Sequence, residues 1–197
     1  MLIEILKEIR VVLGSQSPRR KELLANMGVD FQVLVKDTAE DFNPLDSPME
    51  IVKSIALKKL QAFDLPEFRD SLVITADTVV VHQGHILGKP KDQAEAIRTI
   101  TALQANQHEV LTAVAIAYQG KTHSFVETTA VSFYPMTTAE VAYYVEQYLP
   151  LDKAGSYGIQ EWIGLIGIQS IQGSYENVVG LPTARLYQEL KTIVGNE

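Results

Sequence analysis

Cysteine is absent from the chain, which excludes disulfides, a thiol nucleophile and any thiolate metal site. Basic charge is in the minority. Seventeen Lys and Arg stand against 24 Asp and Glu, a formal charge of −7. Wholesale binding to a nucleic-acid backbone needs clustered cations that displace counterions, so this balance argues against it, while leaving room for a small anion held by a few local cations. Long apolar runs are missing as well: nowhere do about 18 uncharged apolar residues follow one another, the length a membrane span requires. Glu4, Lys7 and Glu8 break up the apolar residues of the N-terminus, so no signal-peptide core is expected and the cytoplasm is the default location. No repeat or low-complexity segment is visible. What remains is 197 residues, 46% hydrophobic and 21% charged, ordinary globular usage. The length suits one large domain or two small lobes sharing a core, and without a sharp shift in composition a single domain over 1–197 is expected.

Strand and helix signals are interleaved. Ile9 to Leu13 is a short β-branched run ending at Gly14, followed by Ser17-Pro18, an N-cap with proline at the first helical position, and a helix to Gly28. Phe31 to Val35 predicts a second strand, which leads into an exposed acidic loop from Asp37 to Asp46. Ser47-Pro48-Met49-Glu50 has capping-box spacing and opens a helix to about Phe63. Leu72 to Ala76 predicts a strand ending at Asp77-Thr78, with a hairpin of Val79 to Val81 and Ile86-Leu87 after it. The spacing of Asp92 and Glu95 predicts a helix to Leu103. Glu109 to Tyr118 and Thr122 to Tyr134 form a longer hairpin about Gln119-Gly120, and the spacing of Thr137 and Glu140 predicts a helix ending before Pro150. A Gly-rich loop from Asp152 to Gly158, a strand near Ile163 to Ile171, a turn at Gly173 and a helix after Pro182 complete the chain. The hairpins exclude a purely parallel sheet, so the fold class is α/β with a mixed sheet and helices on its faces.

Several stretches can carry chemistry. Ser15-Gln16-Ser17-Pro18-Arg19-Arg20 lies where a strand meets a helix, so hydroxyls, backbone N–H groups and two guanidiniums converge as a phosphate site would require. An ordinary serine cap with two solvated arginines explains the same letters. Asp77-Thr78 stands at the carboxyl end of an apolar strand, where a carboxylate can hold a hard cation or take a proton from water, or can simply make a turn. Lys89, between Gly88 and Pro90, can be aimed at a phosphate or sit exposed in a turn. Glu40 can be a second metal ligand or one more charge in a solvated acidic loop, and Lys58 and Lys59 ride on the helix that follows. His82, His85, His108 and His123 lack zinc spacing. In Lys153-Ala154-Gly155-Ser156-Tyr157-Gly158-Ile159-Gln160 and in Gly173-Ser174-Tyr175-Glu176-Asn177, the Tyr, Asn and Gln side chains can read a ring's polar edge; two turns with buried aromatic anchors are the alternative.

Taken together, the Ser15-to-Arg20 stretch, Glu40, Ala76-Asp77-Thr78, Gly88-Lys89-Pro90, His108-x-Val110-x-Thr112, Lys153 to Gln160 and Gly173 to Pro182 resemble the Maf family of nucleoside triphosphate pyrophosphatases. The resemblance implies a two-lobed α/β fold like that of the ITPases, with a long mixed sheet and a cleft between lobes. It implies a hydrolase that cleaves between the α and β phosphates with a divalent metal, Mg²⁺ or Mn²⁺. Asp77 would be the general base or a metal-bound carboxylate, Glu40 a metal ligand, and Arg20, Lys59 and Lys89 the cations on the triphosphate, with Ser15 and Ser17 also at the substrate. Arg19, Thr78 and Gln160 match the subgroup acting on dTTP and UTP, where the 7-methyl-GTP subgroup has Trp, Gln and Glu. A homodimer is a family-level expectation. Departures are Ala39, Gln104-Ala105, Ala113 and Glu161, the last in place of a common glycine. A nucleotide-binding regulator of septum formation and an ITPase-like enzyme acting on deaminated purines are the alternative readings.

Overall fold

The computed structural model describes residues 1–39 and 41–195. Seven strands, β1 (Val11–Leu13), β2 (Gln32–Val33), β3 (Leu72–His82), β4 (His85–Leu87), β5 (Gln107–Tyr118), β6 (Lys121–Phe133) and β7 (Ile168–Gln172), form one sheet in the order β2-β1-β3-β5-β6-β7, with β4 paired to β3. The helices are α1 (Leu2–Leu6), α2 (Pro18–Asn26), α3 (Pro48–Gln61), α4 (Gln93–Leu103), α5 (Thr138–Tyr148), α6 (Trp162–Gly167), α7 (Tyr175–Val179) and α8 (Thr183–Val194). The chain divides into two compact units, Met1–Asp77 with Thr112–Glu127 and Gly180–Glu197, and Thr78–Leu111 with Thr128–Val179.

In the first unit β1 pairs in parallel with both β2 and β3, in register Val12 with Gln32 and Leu13 with Ile74. Parallel neighbours need long crossovers, and α2 and α3 supply them. Leu13, Leu24, Leu72, Ile74, Val114, Ile116, Leu181, Leu186 and Leu190 make the core. Leu186 and Leu190 are four apart on α8, and Leu2 and Leu6 share the same spacing on α1, so each short stripe faces the core. Residues 1–9 read in the sequence only as a broken apolar stretch, whereas Leu2–Leu6 form α1.

The second unit holds the antiparallel partners, β3 with β4 and β6 with β7, the latter carrying a register shift between Ser132 and Phe133. The mixed α/β sheet expected from the sequence is therefore present. Capping follows the sequence closely: Ser47 with Glu50 and Thr137 with Glu140 form complete capping boxes. Asp92 accepts from the Glu95 backbone N–H, whereas the Glu95 carboxylate turns to the Lys91 N–H. No helix among the described residues is long and apolar enough to cross a membrane.

Two expectations are corrected. Asp77 does not end a strand; β3 runs unbroken from Leu72 to His82. Its neighbour β1 stops at Leu13, opposite Ile74, so Asp77 lies just past the end of that pairing and keeps one side of the strand uncovered by β1. Residues 163–171 are not one strand either: Trp162–Gly167 is helical and only Ile168–Gln172 is extended. The Gly164 N–H bonds to the Glu161 carbonyl at 2.9 Å, and a Cβ on Gly164 would fall 1.7 Å from the Ile159 carbonyl oxygen, so a glycine lets the turn close directly on the preceding loop.

Candidate functional site

In the first unit the site grows from the junction of β1 and α2. The Gly14 N–H bonds the Ile74 carbonyl at 2.8 Å, and a Cβ there would meet Phe63 and Thr75 at 2.8 Å, so only glycine passes this point. Buried Ser15 accepts the Ser17 N–H at 3.2 Å, and the Ser17 hydroxyl accepts the Arg20 N–H, capping α2. The Arg20 guanidinium reaches back: its Nε donates to the Gly180 carbonyl at 2.8 Å, and its Nη1 donates to the Ala76 carbonyl at 2.9 Å. A planar fork of donors suits two carbonyls at once, which a lysine cannot match. Arg20 thereby pins the residue immediately before Asp77. Arg19 is half-buried on the same first turn.

Asp77 and Thr75 share one face of β3, because strand side chains alternate. Thr75 donates to the Ala56 carbonyl at 2.8 Å, fixing α3 against that face, and Lys59, one turn further along α3, places Nζ 2.7 Å from the Asp77 carboxylate. Both side chains are mostly buried, Lys59 at 19% and Asp77 at 14% exposure, so the pair is far less screened than a surface ion pair. Lys58, next to it, bonds the Asp41 carboxylate at 3.0 Å and the Asp41 carbonyl at 2.6 Å. That hydrogen bond, with the lysine's charge, holds the Asp41 carboxyl below its ordinary range. The adjacent Lys58 and Lys59 of α3 are thus both used, one on the acidic loop and one on Asp77. Glu40, assigned a catalytic and metal-binding role from the sequence, lies outside the described residues.

Thr78, Lys89 and Gln160 belong to the second unit. Lys89 is exposed, with Pro90 buried behind it, and the Gly88 carbonyl accepts the Gly155 N–H at 3.3 Å. Gly155 has φ +68, and a Cβ would press on Val80 at 2.8 Å, so the turn after Lys153 requires glycine. The loops of Lys89 and Gln160 are therefore tied together. Residues 155–159 are buried and Gln160 is the first to emerge.

Two of the residues singled out as ring readers, Tyr157 and Asn177, are internal struts. Tyr157 is buried and its hydroxyl shares a hydrogen bond with His108 Nε2 at 2.7 Å, the two rings standing edge to face with Phe133. Asn177 is fully buried and donates to the Val110 carbonyl at 3.0 Å and to Thr129 Oγ1 at 2.9 Å. For Tyr157 and Asn177 the anchor reading holds, whereas Gln160 and Tyr175 are exposed.

Burial pushes the His108 pKa down to about 4, with the charge of His82 adding to the shift. In the unfolded chain the imidazole takes up its proton near 6.5, so between these values the unfolded state binds more protons. Stability is then unaffected by His108 above pH 6.5 and falls as pH drops from 6.5 towards 4, by up to about 3 kcal/mol. Urea melts at pH 7.5 and pH 4.5 should show this loss in the native sequence and a smaller one in His108→Gln; equal losses in both would remove His108 as the cause.

Sequence reasoning missed one cluster in this unit. The Tyr144 hydroxyl accepts the Gly158 N–H at 2.9 Å and donates to the Glu161 carboxylate. The other Glu161 oxygen lies 3.1 Å from Lys153 Nζ, which also touches Asp152 at 2.8 Å. Burial raises the Tyr144 pKa, so its hydroxyl stays protonated and donates to the carboxylate. The available signal was Glu161 itself, a charged residue at a position where the resembled family often has glycine.

A family model described as Maf-like protein matches residues 10–193. The chain is similar to proteins named dTTP/UTP pyrophosphatase: 46% identical over 193 residues to one from Porphyromonas gingivalis, covering 96% of this chain and 97% of that one. The Bacteroides fragilis relative is 43% identical over 189 residues, covering 95% of this chain and 98% of its own. That of Phocaeicola vulgatus is 42% identical over 193 residues, covering 98% and 100%.

Proposed function

The chain belongs to the Maf family, and we infer that it hydrolyses dTTP and UTP to the nucleoside monophosphate and pyrophosphate. The names of relatives similar along nearly the whole chain support the substrates. The observation that carries the chemistry is the mostly buried Lys59–Asp77 pair, an ammonium on α3 2.7 Å from a carboxylate on a strand braced by Arg20.

In this reading a water oxygen attacks the α-phosphorus, the bond to the bridging oxygen of the β-phosphate breaks, and pyrophosphate leaves with that electron pair. Asp77, acting as base, takes the water's proton and later passes it to solvent. Lys59 holds the carboxylate in place and, with Lys89, Arg19 and Arg20, supplies positive charge towards phosphate oxygens. Ser15 and Ser17 line the start of α2, where hydroxyls and backbone donors favour an anion.

Asp77 offers a hard oxygen donor, and among the described residues no group of three His, Asp or Glu converges as a preformed metal cage. A hard carboxylate oxygen suits Mg²⁺ or Mn²⁺, because Mg²⁺ characteristically takes one or two carboxylates and completes its shell with water and phosphate oxygens. Asp77 would hold the ion, with Glu40 as the second carboxylate. When bound, it supplies charge that stabilises the phosphoryl oxygens in the transition state.

Gln160 we assign to the base. Its amide both donates and accepts, as the carbonyls and N–H of thymine and uracil require. A dissolved triphosphate as substrate supports the cytoplasm as the place of action.

Purified protein incubated with dTTP, UTP, CTP and ITP and Mg²⁺ or Mn²⁺ should release pyrophosphate, fastest from dTTP and UTP. Release of single orthophosphate would show that a different bond is cut. A clear preference for ITP would overturn the substrate assignment.

A further inference from the structure

Glu161 occupies the N-cap position of α6, where Ser, Thr, Asp and Asn are the usual residues because their short side chains accept the helix's first N–H groups. Its side chain makes no capping bond. It turns instead across the preceding loop, one oxygen on the Tyr144 hydroxyl and the other 3.1 Å from Lys153. These contacts straddle the loop. Lys153 begins it, Tyr144 holds the Gly158 N–H in its middle at 2.9 Å, and Gln160 immediately precedes the glutamate that joins them.

The backbone is shaped for this arrangement. A Cβ on Gly158 would lie 2.7 Å from Glu161 Cδ and 3.0 Å from Lys153 Cε, so the ion pair packs directly on a residue that has no side chain. The Glu161 N–H bonds the Gly158 carbonyl at 3.0 Å, closing the turn that contains Gln160. Lys153 is only 11% exposed and Glu161 24%, so the pair is shielded from the screening that makes surface ion pairs weak.

We propose that Glu161 is a positioning residue for base selectivity: bridged to Lys153 and Tyr144, it holds the 153–160 loop in one conformation and so fixes where the Gln160 amide meets the base. The need for such a brace follows from the amide itself. A glutamine amide turned by half a circle exchanges its donor and acceptor and then matches the acceptor nitrogen and amino group of cytosine as well as it matches uracil. Selection against cytosine therefore requires that Gln160 arrive from a fixed position, which an exposed side chain on an unbraced loop does not do. The inference rests on the assignment of Gln160 to the base.

The test measures kcat and KM for dTTP and CTP, with thermal melting, in Glu161→Gln, Tyr144→Phe, Gln160→Ala and Glu161→Gln/Gln160→Ala. Glu161→Gln keeps size and removes the charge that bridges both partners; Tyr144→Phe cuts the same bridge from its other side. Each is expected to lower the dTTP-to-CTP ratio of kcat/KM by about tenfold, mainly through a higher KM for dTTP, with kcat within about twofold. In the Gln160→Ala background, Glu161→Gln should change the ratio no further, because it acts through Gln160. Loss of selectivity in Gln160→Ala with none in Glu161→Gln overturns the brace and leaves the base assignment standing. An unchanged ratio in Gln160→Ala overturns the base assignment and the inference with it. Equal losses on both nucleotides together with a lower melting temperature would make Glu161 merely structural and overturn the proposal.

Discussion

Asp77→Asn is expected to lower turnover of dTTP by about 10²-fold or more while leaving the fold in place. The substitution keeps the planar shape of the side chain and its place on β3, so the Thr75–Ala56 bond and the Arg20 contact with the Ala76 carbonyl should survive. What is lost is negative charge and basicity. Without them water has no acceptor for its proton, and the proposed metal would lose the Asp77 carboxylate. The Lys59 ammonium, 2.7 Å from the carboxylate in the native protein, is left facing a neutral amide, which lowers stability somewhat. Single-turnover and steady-state rates, read beside a melting curve, separate the two effects. Turnover within about twofold of the native value would remove Asp77 from the chemistry.

Asp77 also shows what the sequence could and could not carry. That an acidic residue sits at the boundary of an apolar run was legible from Leu72 to Ala76 followed by Asp77-Thr78. Its place inside β3 was not, because whether a strand continues through polar residues is decided by the neighbours that pair with it, not by its own letters. Local signals fared better. The Ser47–Glu50 and Thr137–Glu140 boxes join residues three positions apart and need no tertiary partner, and both formed as the spacing required. The turn at Gln119-Gly120 likewise formed with both residues at positive φ, as a tight two-residue hairpin demands. Failures came where a group outside the local spacing pattern decides. Gly164 reads as a weak strand position until the Ile159 carbonyl packed against it is known. Asn177 reads as a possible base reader until its bonds to Val110 and Thr129, 67 and 48 residues away, use its amide nitrogen. The Glu161 bridge to Tyr144 spans 17 residues and two helices, so the letters offered only an odd residue at a glycine position.

Lys59→Met should cost about 10- to 10²-fold in kcat/KM, and its effect should not add to that of Asp77→Asn. The methionine keeps most of the length of the stem that lies along α3 while removing the ammonium. Two consequences follow from the geometry. The Asp77 carboxylate, 14% exposed, loses the cation 2.7 Å away that compensates its burial, and positive charge available to the triphosphate is reduced. Because both side chains keep some contact with water, the stability loss should stay below the roughly 3–5 kcal/mol that follows when one partner of a fully buried pair is removed. Lys59→Arg restores a charge but spreads it over a planar fork, so partial recovery is expected. In the double variant Asp77→Asn/Lys59→Met neither charge is present, and no uncompensated ion remains. If the two residues act as a unit, its rate should lie close to that of Asp77→Asn alone and its melting temperature above that of Lys59→Met. Fully multiplicative losses in kcat/KM would instead mean that Lys59 acts on the substrate independently of Asp77, and that the 2.7 Å contact contributes nothing to the reaction.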